Sequence, residues 1–331
     1  MREIFAADFR DRIVHHLYYN YTHILFERSF IADSYSCIKG RGTHYGIKRL
    51  EHHIRSVSLN YTRKTYILKM DIKGYFMNIE RKTLLKICFS IFERMRLRKS
   101  DEKDKTWECK LDYPLIHYLS EIIIMNDPVK DCRRIGKTSD WDILPALRSL
   151  FHSPKGCGIP IGNLTSQLFS NVYMNEYDQF MKRGLRCKAF GRYVDDSFVV
   201  GRHKGEFRSL AKTAAVFLKQ KLKQDIHPDK TIICHADHGV GFLCTYLKPH
   251  RRYIHRKTLH RISNGIKRVI IYEKPANICN SLNSYLGILS HYHSYRLRYN
   301  IMRLYPELFR YGYFGKSLLR YRLRHSIKSD H

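Results

Sequence analysis

Two adjacent aspartates between two β-prone runs constrain this chain more than any other feature: Gly191-Arg-Tyr-Val-Asp-Asp-Ser-Phe-Val-Val200. Arg192-Tyr193-Val194 leads in and Phe198-Val199-Val200 leads out, the pattern of a tight hairpin with Asp195 and Asp196 at its turn. Two carboxylates at one tip repel each other unless a cation sits between them. A hard divalent ion such as Mg²⁺ is the natural partner, because it prefers carboxylate and water oxygens. The plain alternative is a solvated Asp-Asp turn, and the rest of the chain decides between the two.

Lys and Arg total 60 against 30 Asp and Glu, a formal net charge of +30. A surface this basic calls for a polyanion, nucleic acid first and a membrane surface second. The 24 tyrosines and 17 phenylalanines supply stacking faces and favour nucleic acid. Nine cysteines are scattered with no Cys-x-x-Cys, which speaks against zinc knuckles and a disulfide scaffold and suits a reducing cytosol. The 19 histidines lack a metal-ligand spacing; His15-His16 and His52-His53 are adjacent pairs. The first residues carry acid and no long apolar run, unlike a signal peptide, and no stretch approaches the ~20 apolar residues of a membrane span. The chain reads as cytoplasmic with no membrane partner.

In order, residues 8–31 read as an amphipathic helix. Ser36-Cys-Ile-Lys-Gly-Arg-Gly-Thr-His44 is a Gly-rich loop whose Lys39 and Arg41 suit phosphates. A helix over 44–57 follows, then a buried strand from Tyr66 that ends at Asp71, where a carboxylate is expensive unless paired or metal-bound. Residues 78–97 and 113–127 read as helices, and 99–110 as a solvated, mobile, charged insertion. Gly156-Cys-Gly-Ile-Pro-Ile-Gly-Asn-Leu-Thr-Ser-Gln167 opens onto a helix, so a ligand can approach its backbone and Ser166 and Gln167 lie near the free N–H groups. After the hairpin come a helix at 206–224, a turn and strand at 227–233 and one strand at 239–246. This order predicts an α+β sheet with helices on one face rather than a doubly wound sheet. From Lys248 the chain becomes a basic helical module, with helical segments at 259–270, 281–298 and 300–324 and a phosphate-tracking face.

Asp71-Ile-Lys-Gly-Tyr-Phe76, the loop at 156–167, Tyr193-Val-Asp-Asp196, Lys230 and Gly241-Phe-Leu-Cys-Thr-Tyr246 occur in one order, and that order resembles the reverse transcriptases over nearly the whole chain. Ile161-Gly-Asn-Leu-Thr-Ser-Gln167, with Ile161 where most reverse transcriptases have Gln and Gln167 where they have Pro, narrows the resemblance to those of diversity-generating retroelements. Asp33-Ser-Tyr-Ser-Cys…Gly-Arg-Gly-Thr-His44 and Ser284-Tyr-Leu-Gly-Ile-Leu-Ser-His291…Tyr295-Arg-Leu-Arg298 point the same way. One departure is Ile38, where the family often has Arg before the Lys-Gly of the loop. A retron or group II intron type reverse transcriptase is the alternative.

The resemblance implies a right-hand polymerase: fingers at 1–70 and 95–150, a palm with an antiparallel sheet at 71–94 and 151–247, and a basic helical thumb at 248–331. Asp71, Asp195 and Asp196, with Ile72 beside them, would hold two Mg²⁺ ions, and Lys230 would assist the leaving pyrophosphate. Lys39, Arg41, Phe76, Ile161, Gly162 and Gln167 would contact the nucleotide, with Phe76 as the gate against a ribose 2′-hydroxyl. Gly241, Phe242 and Leu243 would form the primer grip, in a hairpin over Gly241–Tyr246. The implied partners are template RNA, cDNA or primer, deoxynucleoside triphosphates and a basic accessory variability determinant protein. The implied host is a bacterium or a phage. The implied activity is copying of RNA into cDNA with errors directed at template adenines, for mutagenic retrohoming.

Overall fold

The computed structural model describes residues 3–99, 111–136, 139, 141, 143–272 and 274–324. The predicted charged insertion lies, from residue 100 to 110, outside the described residues. The chain divides into two compact units, Met1–His235 and Ala236–His331.

The first unit is built on four antiparallel strands, β1 (Tyr66–Met70), β2 (Phe190–Tyr193), β3 (Asp196–Gly201) and β4 (Ile232–His235), in the order β2-β3-β1-β4. Strand β1 lies in the middle because its short apolar run Ile67-Leu68 can be buried on both sides. Its register sets Met70 opposite Ser197 and Leu68 opposite both Val199 and Ile233. Around the sheet stand α1 (Phe9–Glu27), α2 (Thr43–Val57), α3 (Arg81–Lys99), α4 (Tyr113–Met125), α5 (Leu164–Gln179) and α6 (Lys204–Leu222). Leu68, Met70, Phe190 and Val199 join Phe26, Phe92, Phe169, Val172 and Tyr173 in one core. Each such side chain contributes ~1.5–3 kcal/mol when fully buried.

Side chains alternate along a strand, so Phe198 points away from that core. It is buried against Tyr35 and against His53 of α2, with ring centroids 6.4 and 6.0 Å away. The prediction of helices on one face is therefore corrected: α2 covers the β2–β3 end from the other side. The sequence pattern missed this because Gly191 presents no side chain there, and Tyr35 fills the space.

The second unit holds the meander β5 (Val240–Phe242), β6 (Thr245–Lys248) and β7 (Arg251–Ile254), then α7 (Arg256–Tyr272), α8 (Pro275–Ser290), α9 (Tyr295–Leu304), the short α10 (Leu308–Tyr311) and a hairpin of β8 (Gly312–Phe314) and β9 (Tyr321–Leu323). Ile262, Ile266 and Val269 of α7 pack with Ile278, Leu282, Leu286 and Leu289 of α8, as expected for an i, i+3, i+4 stripe. Three predictions are corrected here. The run 281–298 is not one helix, since α8 ends at Ser290 and α9 begins at Tyr295. The run 239–246 is two strands joined at Leu243-Cys244, a hairpin as the resemblance implied and not the single strand of the residue pattern, with Leu243 in the left-handed region at φ 56°. The run 300–324 is not one helix. Pro306 cannot continue α9, and the Tyr-Arg-Leu alternation of 321–323 forms a strand instead.

Candidate active site

Asp71 follows the last residue of β1, and the β1–β3 register brings it level with the β2–β3 turn. The turn differs from the predicted one. Tyr193 pairs with Asp196, so Val194 and Asp195 are the two loop residues and Asp196 opens β3. Val194 carries φ 57°, an uncommon conformation for a β-branched residue and a cost of ~1–3 kcal/mol. Its surroundings hold it there. The Arg192 Nη1 donates to the Val194 carbonyl at 2.8 Å, and the Val194 N–H donates to Ser36 Oγ at 3.3 Å.

The three carboxylates feel one another. Burial first, then the charge of Asp71, pushes the Asp195 carboxyl up to about 6. Burial pushes Asp196 up to about 6 as well, against the pull of Lys69, whose Nζ lies 3.3 Å from Asp196 Oδ2. Asp71 is joined by the Nζ of Lys230. That contact is set up by backbone pairing, since His227 N–H donates to Asp71 O at 2.7 Å and Lys73 N–H to Asp225 O at 2.9 Å. Ile72, bridged to Ile226, has a buried side chain. Among the described residues, no three or more His, Cys, Asp or Glu side chains already close around one point as metal ligands. The donors nevertheless suit a hard cation: three carboxylates from two segments, two of them destabilised as anions by burial and mutual repulsion. Lys230, whose side chain is 55% exposed on a flexible stem, can move off Asp71.

The loop at 156–167 is fixed against the same strand end. Gly158 N–H donates to Ile79 O at 2.8 Å and Ile159 N–H to Phe76 O at 3.1 Å, so Phe76 and the loop share one edge. Position 158 requires glycine twice over: its φ is 86°, and a Cβ there would lie 2.6 Å from Leu150 Cδ2. Gln167 sits exposed in the first turn of α5 and Ile161 is half-buried. The N-terminal segment lies over this loop. Phe5 N–H donates to Ile161 O at 2.8 Å, Ala7 N–H to Asn163 Oδ1 at 3.3 Å, and a Cβ on Gly162 would lie 2.5 Å from Phe5 O. Buried Glu3 anchors the segment by accepting from Ser149 Oγ at 2.7 Å and Leu150 N–H at 2.9 Å. Nothing in the composition of residues 3–7 signals that role.

The Gly-rich loop lies beside the hairpin, where Thr43 Oγ1 meets the Tyr193 hydroxyl at 3.5 Å. Arg41 uses its Nη1 on the carbonyls of Ile31 and Ser34, 3.0 and 2.9 Å away, so it braces the loop. Lys39 is exposed. Gly241 and Phe242 lie in β5 and Leu243 in the β5–β6 turn, all in the second unit.

Sequence reasoning also missed the support under the turn. Asn171, Asn175, Asp178 and Gln179 form a polar stripe at helical spacing on α5, a helix buried nearly all round. Arg192, fully buried, donates from Nε and Nη2 to Asp178 at 2.7 and 2.6 Å. Asn171 Nδ2 donates to Ser36 O at 2.7 Å, and Gln179 Nε2 donates to Ser29 O at 2.8 Å. The segment 33–36 then runs along β2, with Arg192 N–H donating to Asp33 O at 2.9 Å. The signal was available: amides and an acid every three or four residues on a helix with no exposed face to solvate them.

No protein-family profile matches the chain. It is similar to Protein YkfC of Escherichia coli (strain K12), 23% identical in an alignment covering 86% of this chain and 71% of that protein. In structure it is similar to apo telomerase from Candida tropicalis, with a TM-score of 0.51 and 14% identity, over 90% of this chain and 48% of that one. The chain thus spans about half the length of the telomerase chain whose fold it shares. No helix among the described residues is long and apolar enough to cross a membrane.

Proposed function

We propose that this chain is an RNA-directed DNA polymerase, and that it serves a diversity-generating retroelement. The observation that carries the polymerase reading is the meeting of Asp71 with the turn that bears Asp195 and Asp196, with Lys230 on Asp71. The fold shared with a telomerase, a reverse-transcriptase-like polymerase, supports the same class. The finer reading rests on the Ile161…Gln167 resemblance. In it 71–94 and 151–247, with strands β2, β3 and β4, belong to the palm, 1–70 and 95–150 to the fingers, and 248–331 to a thumb.

Asp71, Asp195 and Asp196, with the backbone of Ile72, would hold Mg²⁺. When bound, two such ions activate the primer 3′ oxygen and neutralise charge on the triphosphate. The protein's own groups orient the reactants. The primer 3′ hydroxyl gives up its proton to water as its oxygen forms a bond to the α-phosphorus, and the bond from that phosphorus to pyrophosphate breaks. Lys230, released from Asp71, supplies a proton or a positive charge to the departing pyrophosphate. Phe76, at the edge of the loop 156–159, would refuse a ribose 2′-hydroxyl. Lys39 would meet phosphate, and Gly241, Phe242 and Leu243 would hold the primer. Template RNA, deoxynucleoside triphosphates and a basic accessory protein are the partners of this reading, in a bacterial or phage setting.

Primer extension on an RNA template tests it. Wild-type protein, alone or with its accessory protein, extends in Mg²⁺, and Asp195→Ala does not. Absence of Mg²⁺-dependent extension in both conditions sinks the proposal. For the retroelement reading, Ile161 offers the nascent base pair no hydrogen bond. Ile161→Gln therefore lowers misincorporation opposite adenine severalfold; an unchanged error spectrum sinks that part alone.

A further inference from the structure

Residues 3–7 lie against the loop that carries Ile161, and the polymerase reading gives them no role. Their exposure alternates as in a strand, with Glu3 buried, Ile4 exposed, Phe5 half-buried and Ala6 exposed. Among the described residues, the bond from the Phe5 N–H is the one backbone hydrogen bond that Ile161 and Gly162 make. Gly162, at φ 139°, leaves no room for a side chain beside Phe5 O. The tip of the loop is therefore held by residues 3–7. Its start is held by Ile79 and Phe76, and its end by Ala7 and by His15 of α1, whose Nδ1 lies 2.8 Å from Thr165 Oγ1.

What holds residues 3–7 is a buried acid. Glu3 is 5% exposed and has no cationic partner among the described residues. Its two oxygens accept from one turn, Oε2 from Ser149 Oγ and Oε1 from Leu150 N–H. A carboxylate in such a place is costlier than an apolar side chain unless both oxygens are satisfied. What it supplies is register. The two donors of the turn call for an acceptor, so a slip by one residue would bring Ile4 against them and carry Phe5 N–H away from Ile161 O. The turn itself is well fixed. The rings of Phe5 and Phe151 lie 5.7 Å apart, and Arg134 Cζ stands 3.9 Å from the centre of the Phe151 ring. Leu150 fills the space beside Gly158. Residues 149–151 thus grip the loop twice, at Gly158 through Leu150 and at Ile161 through Glu3 and Phe5.

We propose that Glu3 is a positioning residue of the nucleotide site: latched to Ser149 and Leu150, it sets through Phe5 where Ile161 stands against the nascent base pair. This rests on the polymerase reading and adds to it a residue that touches neither nucleotide nor metal. A displacement of about 1 Å at a positioning loop is enough to change turnover by a large factor. Without the latch Ile161 and Gly162 move, and the incoming nucleotide is held less well.

The test compares full-length wild type, Glu3→Ala, Glu3→Gln, Ser149→Ala and the Glu3→Ala/Ser149→Ala double variant. Each is assayed by single-nucleotide primer extension on an RNA template and by hydrogen exchange. Glu3→Ala should raise KM for the deoxynucleoside triphosphate about tenfold and change kcat less, because Asp71, Asp195 and Asp196 are untouched. Glu3→Gln, which can still accept from Leu150 N–H and can donate to Ser149 Oγ, should keep KM near wild type. Ser149→Ala should raise KM severalfold, and the double variant should be no worse than Glu3→Ala, since both substitutions break one latch. Exchange should quicken at the amides of Phe5, Ala7 and Leu150 and stay slow in β1. A wild-type KM in folded Glu3→Ala overturns the inference; should that variant not fold, a wild-type KM in Ser149→Ala does the same. Single effects that add in the double variant overturn the latch, and so does unchanged exchange at Phe5 and Ala7. Any of these, in a wild type that extends the primer, sinks the role of Glu3 alone. A wild type that does not extend sinks the polymerase reading itself.

Discussion

Replacing Arg192 by Met should cost this protein much of its stability, and restoring that stability should not restore activity. The Arg192–Asp178 pair is sealed from solvent, with side chains 1% and 0% exposed, and makes two short charge-assisted hydrogen bonds. Removing one partner of such a pair costs ~3–5 kcal/mol, because the remaining charge has neither water nor a counter-ion. Loss of the bond to Val194 O adds ~1 kcal/mol. Burial already pushes the Asp178 carboxyl upward, so the orphaned group takes up a proton and the cost levels off near the low end. Against a total of ~5–15 kcal/mol for a typical domain, that is a large share. Arg192→Met/Asp178→Leu removes both charges and should recover most of the loss, leaving a positive coupling of ~2 kcal/mol or more in a double-mutant cycle. The Val194 turn stays without its Arg192 brace, so Asp195 is less well held and extension stays low. Urea melts, with hydrogen-exchange protection followed in α5 and β3, measure the stability side, and primer extension measures the other. A loss below about 1 kcal/mol in the single variant refutes the reasoning. Recovery of both stability and extension in the double variant refutes the link between the pair and the turn.

Two further outcomes follow from the same region. Gly191→Ala would drive a methyl group into the Tyr35 hydroxyl and to 2.7 Å from Phe198 Cζ; both rings are buried, so overpacking should cost ~1–3 kcal/mol in thermal or urea melts, and a neutral result would mean that α2 shifts freely. Asp33 accepts from Arg49 Nε at 2.8 Å and from Tyr35 at 2.9 Å, with His53 Nε2 and Lys182 Nζ each 3.2 Å away. Burial opposes its charge, but His53, Arg49 and Lys182 hold its carboxyl well below the usual carboxylate range. The sign is that of a depressed acid. Its contribution is full above the unfolded value of ~3.9 and is lost as pH falls below that. Asp33→Asn should therefore lower stability at neutral pH and flatten the acid limb of the stability curve; an unchanged acid limb would mean that other carboxylates govern it.

The order of the motifs and the class of the main elements of the first unit were legible in the chain itself. Hydrophobic period three to four marked α2 and α6, an apolar stretch marked α4, and an apolar run ending in Asp71 marked β1, because these patterns are local consequences of helix and strand geometry. The net charge of +30 pointed to a polyanion without any fold. Pairing decided the rest. Only the β2–β3 register made Asp195 a loop residue and Asp196 a strand residue, since a one-residue difference exchanges the faces of a strand. Only packing assigned Arg192 to Asp178, Glu3 to Ser149 and Asn283 to Tyr321, because a buried polar group takes its partner from segments distant in sequence. The C-terminal run was read as helix from its arginines and leucines, whose local preferences fit either structure. Docking against Asn283 selected the strand, since that side chain pairs with both the N–H and the carbonyl of Tyr321.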